Sequence, residues 1–357
     1  MANNTHLIGA LRLVAQQLHA SRFADGADVV QWFGAMQAQD QNMCRWAPAV
    51  RTSEHHTTIR NAIDNGPIIR THVLRPTWHL VHSSDVRCFL RLTAPRIRSA
   101  YMSWSRKMGI DERALLRYNQ QMAKLLEANG PMGRTQLIEA LGVGQKALGD
   151  FGASILLMNA EMDEVICNAP MYKKETAYCL MDTRVAAAPA MATIDALYRL
   201  AVRYFTSHGP ASLADFTWWS GLSATDARKA FNAVMHNFAQ LEVGGVTYLY
   251  SGRHEPYTGS SVHFLPSFDE YLISYKDRTV AIEERWQPLA FTRNGIFKPV
   301  LIVDGRVVAT WSRMVKKDTT TVTISFFEPP DQGLTEQLPQ AAAKYAVTDG
   351  APVIVKW

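Results

Sequence analysis

Two glutamines separated by one residue, Gln37 and Gln39, follow the apolar run Val29-Val30-Gln31-Trp32-Phe33-Gly34-Ala35-Met36, and Asp40 comes directly after them. A carboxamide does not ionise; it donates through nitrogen and accepts through oxygen, so neither side chain can serve as a strong general base. The pair can hold a water in place and stabilise charge that develops in a transition state, where preorganised dipoles help most. Such help suffices only for a bond that is labile before the protein acts. In a helix, side chains two positions apart diverge by about 200°, whereas in extended chain they project to one side. The amides therefore cooperate only if the helix before them stops; the alternative is a pair of amides capping a helix end or bridging two elements by hydrogen bonds.

A second polar group lies downstream. Residues 68–81 are rich in β-branched and aromatic types and read as two short strands meeting at Arg75-Pro76, with Arg75, Thr77 and His79 at alternate positions on one face. That face suits the wall of a polar cleft beside the amides, although a lone histidine on such a strand is also a common core group. Residues 87–117 hold eight basic side chains against two acids, with Tyr101 and Trp104 among them, in a chain whose overall excess is only +5. Basic density mixed with aromatics suits nucleic-acid phosphates and bases, with a solvated helix face as the plainer reading. The four cysteines show no paired spacing of the zinc or disulfide kind. No apolar run is long enough for a membrane span and the start lacks a signal pattern, so a cytoplasmic protein is expected.

The elements that must position these groups repeat. Gly130-Pro131-Met132-Gly133 through Gly142 aligns without gaps, at an offset of 79, with Gly209-Pro210-Ala211-Ser212 through Gly221. Each copy lies between helices and is followed by two strands, around Lys173-Lys174 in the first and Gly244-Gly245 in the second. Helix, Gly-Pro turn, short helix, helix and hairpin is the winged-helix arrangement. The opening segment, with helices at 7–20 and 27–36 (Asp28 as a cap) and strands at 68–81, reads as a third copy, and Pro95 and Gly109 as breaks in the long basic helix. From Val262 onward strands dominate, with a two-residue Asp304-Gly305 turn and a helix at 334–347, as in a small barrel-like β domain. The expected fold class is α+β: winged helices at 1–117, 118–186 and 187–256, then a β-barrel-like domain at 257–357.

In order along the chain, Met36-Gln37-Ala38-Gln39-Asp40, Leu74-Arg75-Pro76-Thr77-Trp78-His79-Leu80, the Gly-Pro repeat, Phe264-Leu265-Pro266-Ser267-Phe268-Asp269-Glu270-Tyr271 and Arg293-Asn294-Gly295 to Asp304-Gly305-Arg306 resemble the bacterial winged-helix DNA glycosylases of the AlkZ and YcaQ type. The resemblance implies a C-shaped basic cleft on double-stranded DNA. It also implies removal of N7-alkylated purines, or opening of interstrand crosslinks, without a cofactor or metal. Gln37-Ala38-Gln39 matches the Gln-x-Gln form of that family's catalytic motif. Gln37 is then expected to bind the nucleophilic water and Gln39 to share that role or touch the sugar. Arg75, Thr77, His79, Arg293 and Arg306 become candidate DNA contacts, the last at a hairpin tip that could probe a groove, with Asp40 and Asp269 as supports. No lysine adjoins the pair, which favours direct hydrolysis by a monomeric enzyme over a Schiff-base lyase. The rival is a winged-helix transcriptional regulator without chemistry, which would prefer one DNA sequence and need no amide pair.

Overall fold

The computed structural model describes residues 2–143, 145–253, 255–348 and 350–357, without the side chains of 2–4 and 145–147. Three times along the chain a two-residue strand is followed by two helices and a hairpin, and three times it pairs with the hairpin's second strand. These sheets are Met36–Gln37 with Ile68–His72 and Trp78–His82, Met132–Gly133 with Ile166–Tyr172 and Glu175–Leu180, and Ala211–Ser212 with Ala239–Val243 and Val246–Tyr250. The sequence repeat has a physical basis in this pattern. The Gly-Pro turn ends a helix, the next two residues pair as the short strand, and a polar side chain three positions later caps the new helix: Gln136 Oε1 accepts from Gly133 N at 3.1 Å and Asp215 Oδ2 from Ser212 N at 3.0 Å. The two-residue strands are too short to carry a periodicity and were not foreseen.

Three local readings are corrected. Asp25, not Asp28, caps the helix Gly26–Phe33, because its carboxylate reaches Ala27 N at 2.6 Å. Pro95 does not break the basic helix, which runs unbroken over Ser83–Lys107; it lies on the exposed face, where water can satisfy the carbonyl it leaves free, and only Gly109 with φ of +74° ends the run. The C-terminal strands form an open five-stranded sheet and not a barrel. Its last strand, Val353–Lys356, joins Thr319–Phe326 in parallel, which requires a crossover, and the helix Gln332–Ala342 that makes it lies against both edge strands. Among the described residues these edges do not pair with each other.

The first repeat is the hub. Its helices share a core with Phe264 and Trp311 of the C-terminal sheet and with Tyr345 just after the helix Gln332–Ala342, and its strands share another with the second and third repeats. One buried ion pair locks the hub to the C-terminal part: Arg51 and Asp269, both almost fully buried, meet through two bonds of 2.7 and 2.8 Å, and Arg51 also donates to the Gln16 and Ala47 carbonyls. Removing one partner strands a buried charge, at a cost of about 3–5 kcal/mol. Asp269→Ala should therefore lower the urea midpoint of the whole chain markedly; an unchanged midpoint would show that the pair is not needed.

Candidate active site

The helix Gly26–Phe33 stops at Gly34, whose φ of +78° only glycine adopts freely, and the chain leaves it extended as Met36–Gln37. That is the condition for the glutamines to cooperate. Gln37 pairs with His79 and Met36 with Leu80 across the sheet. The segment is held at each residue. Gln37 N–H donates to Glu270 Oε1 at 2.5 Å, Ala38 N–H to the Trp78 carbonyl at 2.8 Å, and the Arg70 fork reaches the Ala38 carbonyl at 3.0 and 3.1 Å.

The two side chains differ in setting. Gln37 is buried and Gln39 exposed. With the Gln37 amide turned so that both ends find partners, Oε1 accepts from Arg75 Nη2 at 2.8 Å and Thr77 Oγ1 at 3.1 Å, and Nε2 donates to the Trp78 carbonyl at 3.0 Å. Gln39 Oε1 accepts from Trp78 N–H at 3.3 Å. Both amides thus engage the backbone of one residue, Trp78, whose ring lies 4.1 Å from Arg70 and 3.9 Å from His72. Arg75 and Thr77 stand together at Gln37, but not by strand alternation: the strands end at His72 and resume at Trp78, and 73–77 is a tight bend in which Arg75 N and Thr77 N donate to the carbonyls two residues back.

His79, directly opposite Gln37 in the sheet, shares its face. It is fully buried, its Nδ1–H donates to the Thr77 carbonyl at 2.9 Å, and burial with the nearby Arg75 charge pushes its pKa down to about 3. The ring is a neutral brace. A histidine whose folded pKa is depressed takes up its proton more readily in the unfolded chain, so stability falls as pH drops from about 6.5 toward 3, by at most about 1.4 kcal/mol per pH unit. Urea midpoints should decline from pH 6.5 to 5, and NMR should find His79 as the neutral Nδ1–H tautomer at pH 6; a protonated ring there would contradict the placement.

Beneath Gln37 lies a group that the sequence reading passed over. Glu270 is fully buried and accepts from Gln37 N–H, Ser274 Oγ, Trp219 Nε1 at 3.1 Å and His208 Nε2 at 3.2 Å. Burial alone would raise its pKa, but the His208 hydrogen bond and charge, then the Ser274 hydroxyl and the Gln37 amide, outweigh it and hold the carboxylate ionised. Burial lowers the His208 pKa, against the pull of Glu270. Asp269 next door, the acid singled out from sequence, is spent on Arg51 and on capping Tyr271 N at 2.9 Å. Asp40 bonds Ser267 Oγ at 2.9 Å and caps Asn42 N at 3.0 Å, tying the motif loop to the same C-terminal segment. Leu74 and Phe268, next in the chain to Arg75 and Asp269, are non-glycine residues with φ of +64° and +57°.

The basic residues around Gln37 come from unexpected places. In the helix Ser83–Lys107, Arg87, Arg91 and Arg98 are neutralised by Glu164, Asp182 and Asp163 of the second repeat, so density along the sequence overstated the free charge there. Beside Arg75 stand instead Lys276 and Arg278, grouped around the ring of Trp218. Arg278 also lies 5.1 and 5.2 Å from Phe291 and Phe297, the paired ends of the loop whose exposed tip carries Arg293. Arg306 turns back onto the Thr279 and Val280 carbonyls at 3.0 Å each. The Asp304-Gly305 tip is packed rather than free to probe a groove: the Gly305 carbonyl accepts from Tyr271 Oη at 2.9 Å, and Asp304 brackets Ser261. A cavity of about 830 Å³ between the helix Ser83–Lys107 and the segment at 186–193 holds neither glutamine.

The interstrand DNA cross-link repair glycosylase of Streptomyces sahachiroi is 24% identical over 355 residues, covering 94% of this chain and 92% of the relative. The solved structure of Streptomyces sahachiroi DNA glycosylase AlkZ superposes with a TM-score of 0.80 at 20% identity, over 98% of each chain. Because the sequence model of the family described as DNA glycosylase AlkZ-like matches residues 30–347, nearly the whole chain including both glutamines, this protein belongs to the AlkZ-like DNA glycosylase family.

Proposed function

We propose that this chain is a monofunctional glycosylase that hydrolyses the N-glycosidic bond of N7-alkylated purines in duplex DNA and unhooks interstrand crosslinks built on such purines. We also infer that the three repeats are winged helices, divided near residues 117, 186 and 256, and that with the C-terminal sheet they enclose a C-shaped cleft. The observation that carries the reading is the immobilised, non-ionisable amide of Gln37, held at its oxygen by Arg75 and Thr77 and at its nitrogen by Trp78. Its second Nε2–H remains to be offered to a water or to the substrate. A purine alkylated at N7 is cationic, so its bond to the sugar is weakened beforehand. The C1′–N9 bonding pair passes to the base, which leaves neutral; the water oxygen bonds to C1′, and its proton goes to solvent. Gln39, exposed beside Gln37, shares in holding the water or meets the sugar. Glu270 acts through Gln37, fixing its backbone and placing a negative field beneath the site of the developing oxocarbenium charge. A regulator would gain nothing from this pinned amide.

The structure brings one lysine near the site, Lys276, 5.1 Å from the Trp218 ring. Direct hydrolysis predicts that borohydride traps no covalent enzyme–DNA adduct during turnover and that the abasic strand stays uncut. A trapped adduct that disappears in Lys276→Ala would overturn the monofunctional mechanism.

A further inference from the structure

Three cations surround one indole. Trp218, on the helix Leu213–Ser220, is fixed by a bond from Nε1 to the Ile273 carbonyl at 2.9 Å. Arg75 lies 5.6 Å, Arg278 5.3 Å and Lys276 5.1 Å from the ring centre. Among the described residues none of the three forms an ion pair. The nearby acids are occupied: Asp277 with Thr279, Asp215 with Ser212 and the Lys276 N–H, Glu270 with its own donors. Arg75 Nε and Arg278 Nη2 are buried and have no protein partner. Burial and the Arg75 charge together push the Arg278 pKa down to about 10, which leaves it protonated at neutral pH. Like charges held side by side with buried donors unmet are tolerated where an anion is to come between them, and a planar guanidinium matches the oxygens of a phosphodiester.

We propose that Arg75 and Arg278 form the seat of one backbone phosphodiester of the lesion strand, with Lys276 at its rim. The proposal rests on the glycosylase reading and adds how the strand is set in register. Arg75 is shared: Nη2 holds the Gln37 amide, while Nε is buried and has no protein partner. A phosphate on Arg75 is thereby fixed at one guanidinium's width from the group that acts on the sugar.

The test replaces single linkages of the lesion strand, one at a time, by uncharged methylphosphonates in a duplex carrying a 2′-fluoro N7-methylguanosine that resists cleavage. Affinities are measured for wild type and Arg278→Ala. One linkage beside the lesion should cost wild type roughly tenfold in affinity and cost Arg278→Ala almost nothing, and the salt slope of binding should fall by about one in the variant. Arg278 also holds the Leu272 carbonyl at 3.0 Å. If its melting temperature drops, the exposed Lys276→Ala carries the comparison, and the same linkage should lose part of its effect. A walk without a sensitive linkage, or one equally sensitive in wild type and variant, overturns the seat. Base release with a flat walk sinks the seat alone; the expected walk without base release sinks the hydrolysis and leaves the seat.

Discussion

Gln37→Ala should slow base release roughly 100-fold or more, the scale on which removal of one preorganised polar group acts. The truncation leaves Arg75 Nη2, Thr77 Oγ1 and the Trp78 carbonyl short of a partner, so about 1–3 kcal/mol of stability should go with it. The rate is therefore to be read under single-turnover conditions, at a temperature where the variant is folded and with duplex binding measured alongside. Gln39→Ala should cost less, because the exposed Gln39 makes one long bond to Trp78 N–H. Equal rates for Gln37→Ala and wild type would remove the amide from the mechanism.

The second large effect is expected at Glu270. Replacement by glutamine keeps the shape but turns an acceptor for four donors into a group that carries donors of its own, in a fully buried position. Each buried donor left without its acceptor costs about 1–3 kcal/mol, so a loss of several kcal/mol is expected. The pH dependence follows from the depressed folded pKa of Glu270. Its contribution is present above the unfolded value of about 4.3 and is lost as pH falls through the folded one. Wild type should therefore lose more stability than Glu270→Gln between pH 5 and 3, a range in which His79 contributes equally to both proteins. Parallel curves for the two proteins would show that the carboxylate is not held ionised by its neighbours. If Glu270 acts by fixing Gln37, the variant's kcat should fall at a temperature where it is folded while KM stays near that of wild type.

What the sequence made legible was what local chemistry and repetition encode. The Gly-Pro repeat foretold two of the three units, and Arg75 and Thr77 were expected beside the amides, whereas the helix expected over 27–36 stops earlier, at Gly34. The missing part was contributed from far along the chain. Glu270 reaches Gln37 across 233 positions, and its neighbour Asp269 competed with it for the same reading. His208 and Trp219 belong to the third repeat, where nothing in their local pattern separates a buried network from ordinary core. Charge density misled for a related reason. Arg87, Arg91 and Arg98 are neighbours in sequence, but their counter-ions come from the second repeat. Lys276 and Arg278, in a stretch with no excess of charge, are the ones that stand beside Arg75 at the Trp218 ring. The open C-terminal sheet was read as barrel-like because strand signals do not say whether the edges meet.

The most direct measurement is abasic-site formation in duplex DNA containing N7-methylguanine, and in a duplex crosslinked through guanine N7, by wild type and by Gln37→Ala/Gln39→Ala. The proposed mechanism predicts release from modified duplex, none from unmodified duplex, and collapse in the double variant with DNA binding retained. No release from either damaged duplex, with tight binding to one unmodified sequence, would contradict it and leave a DNA-binding protein without chemistry.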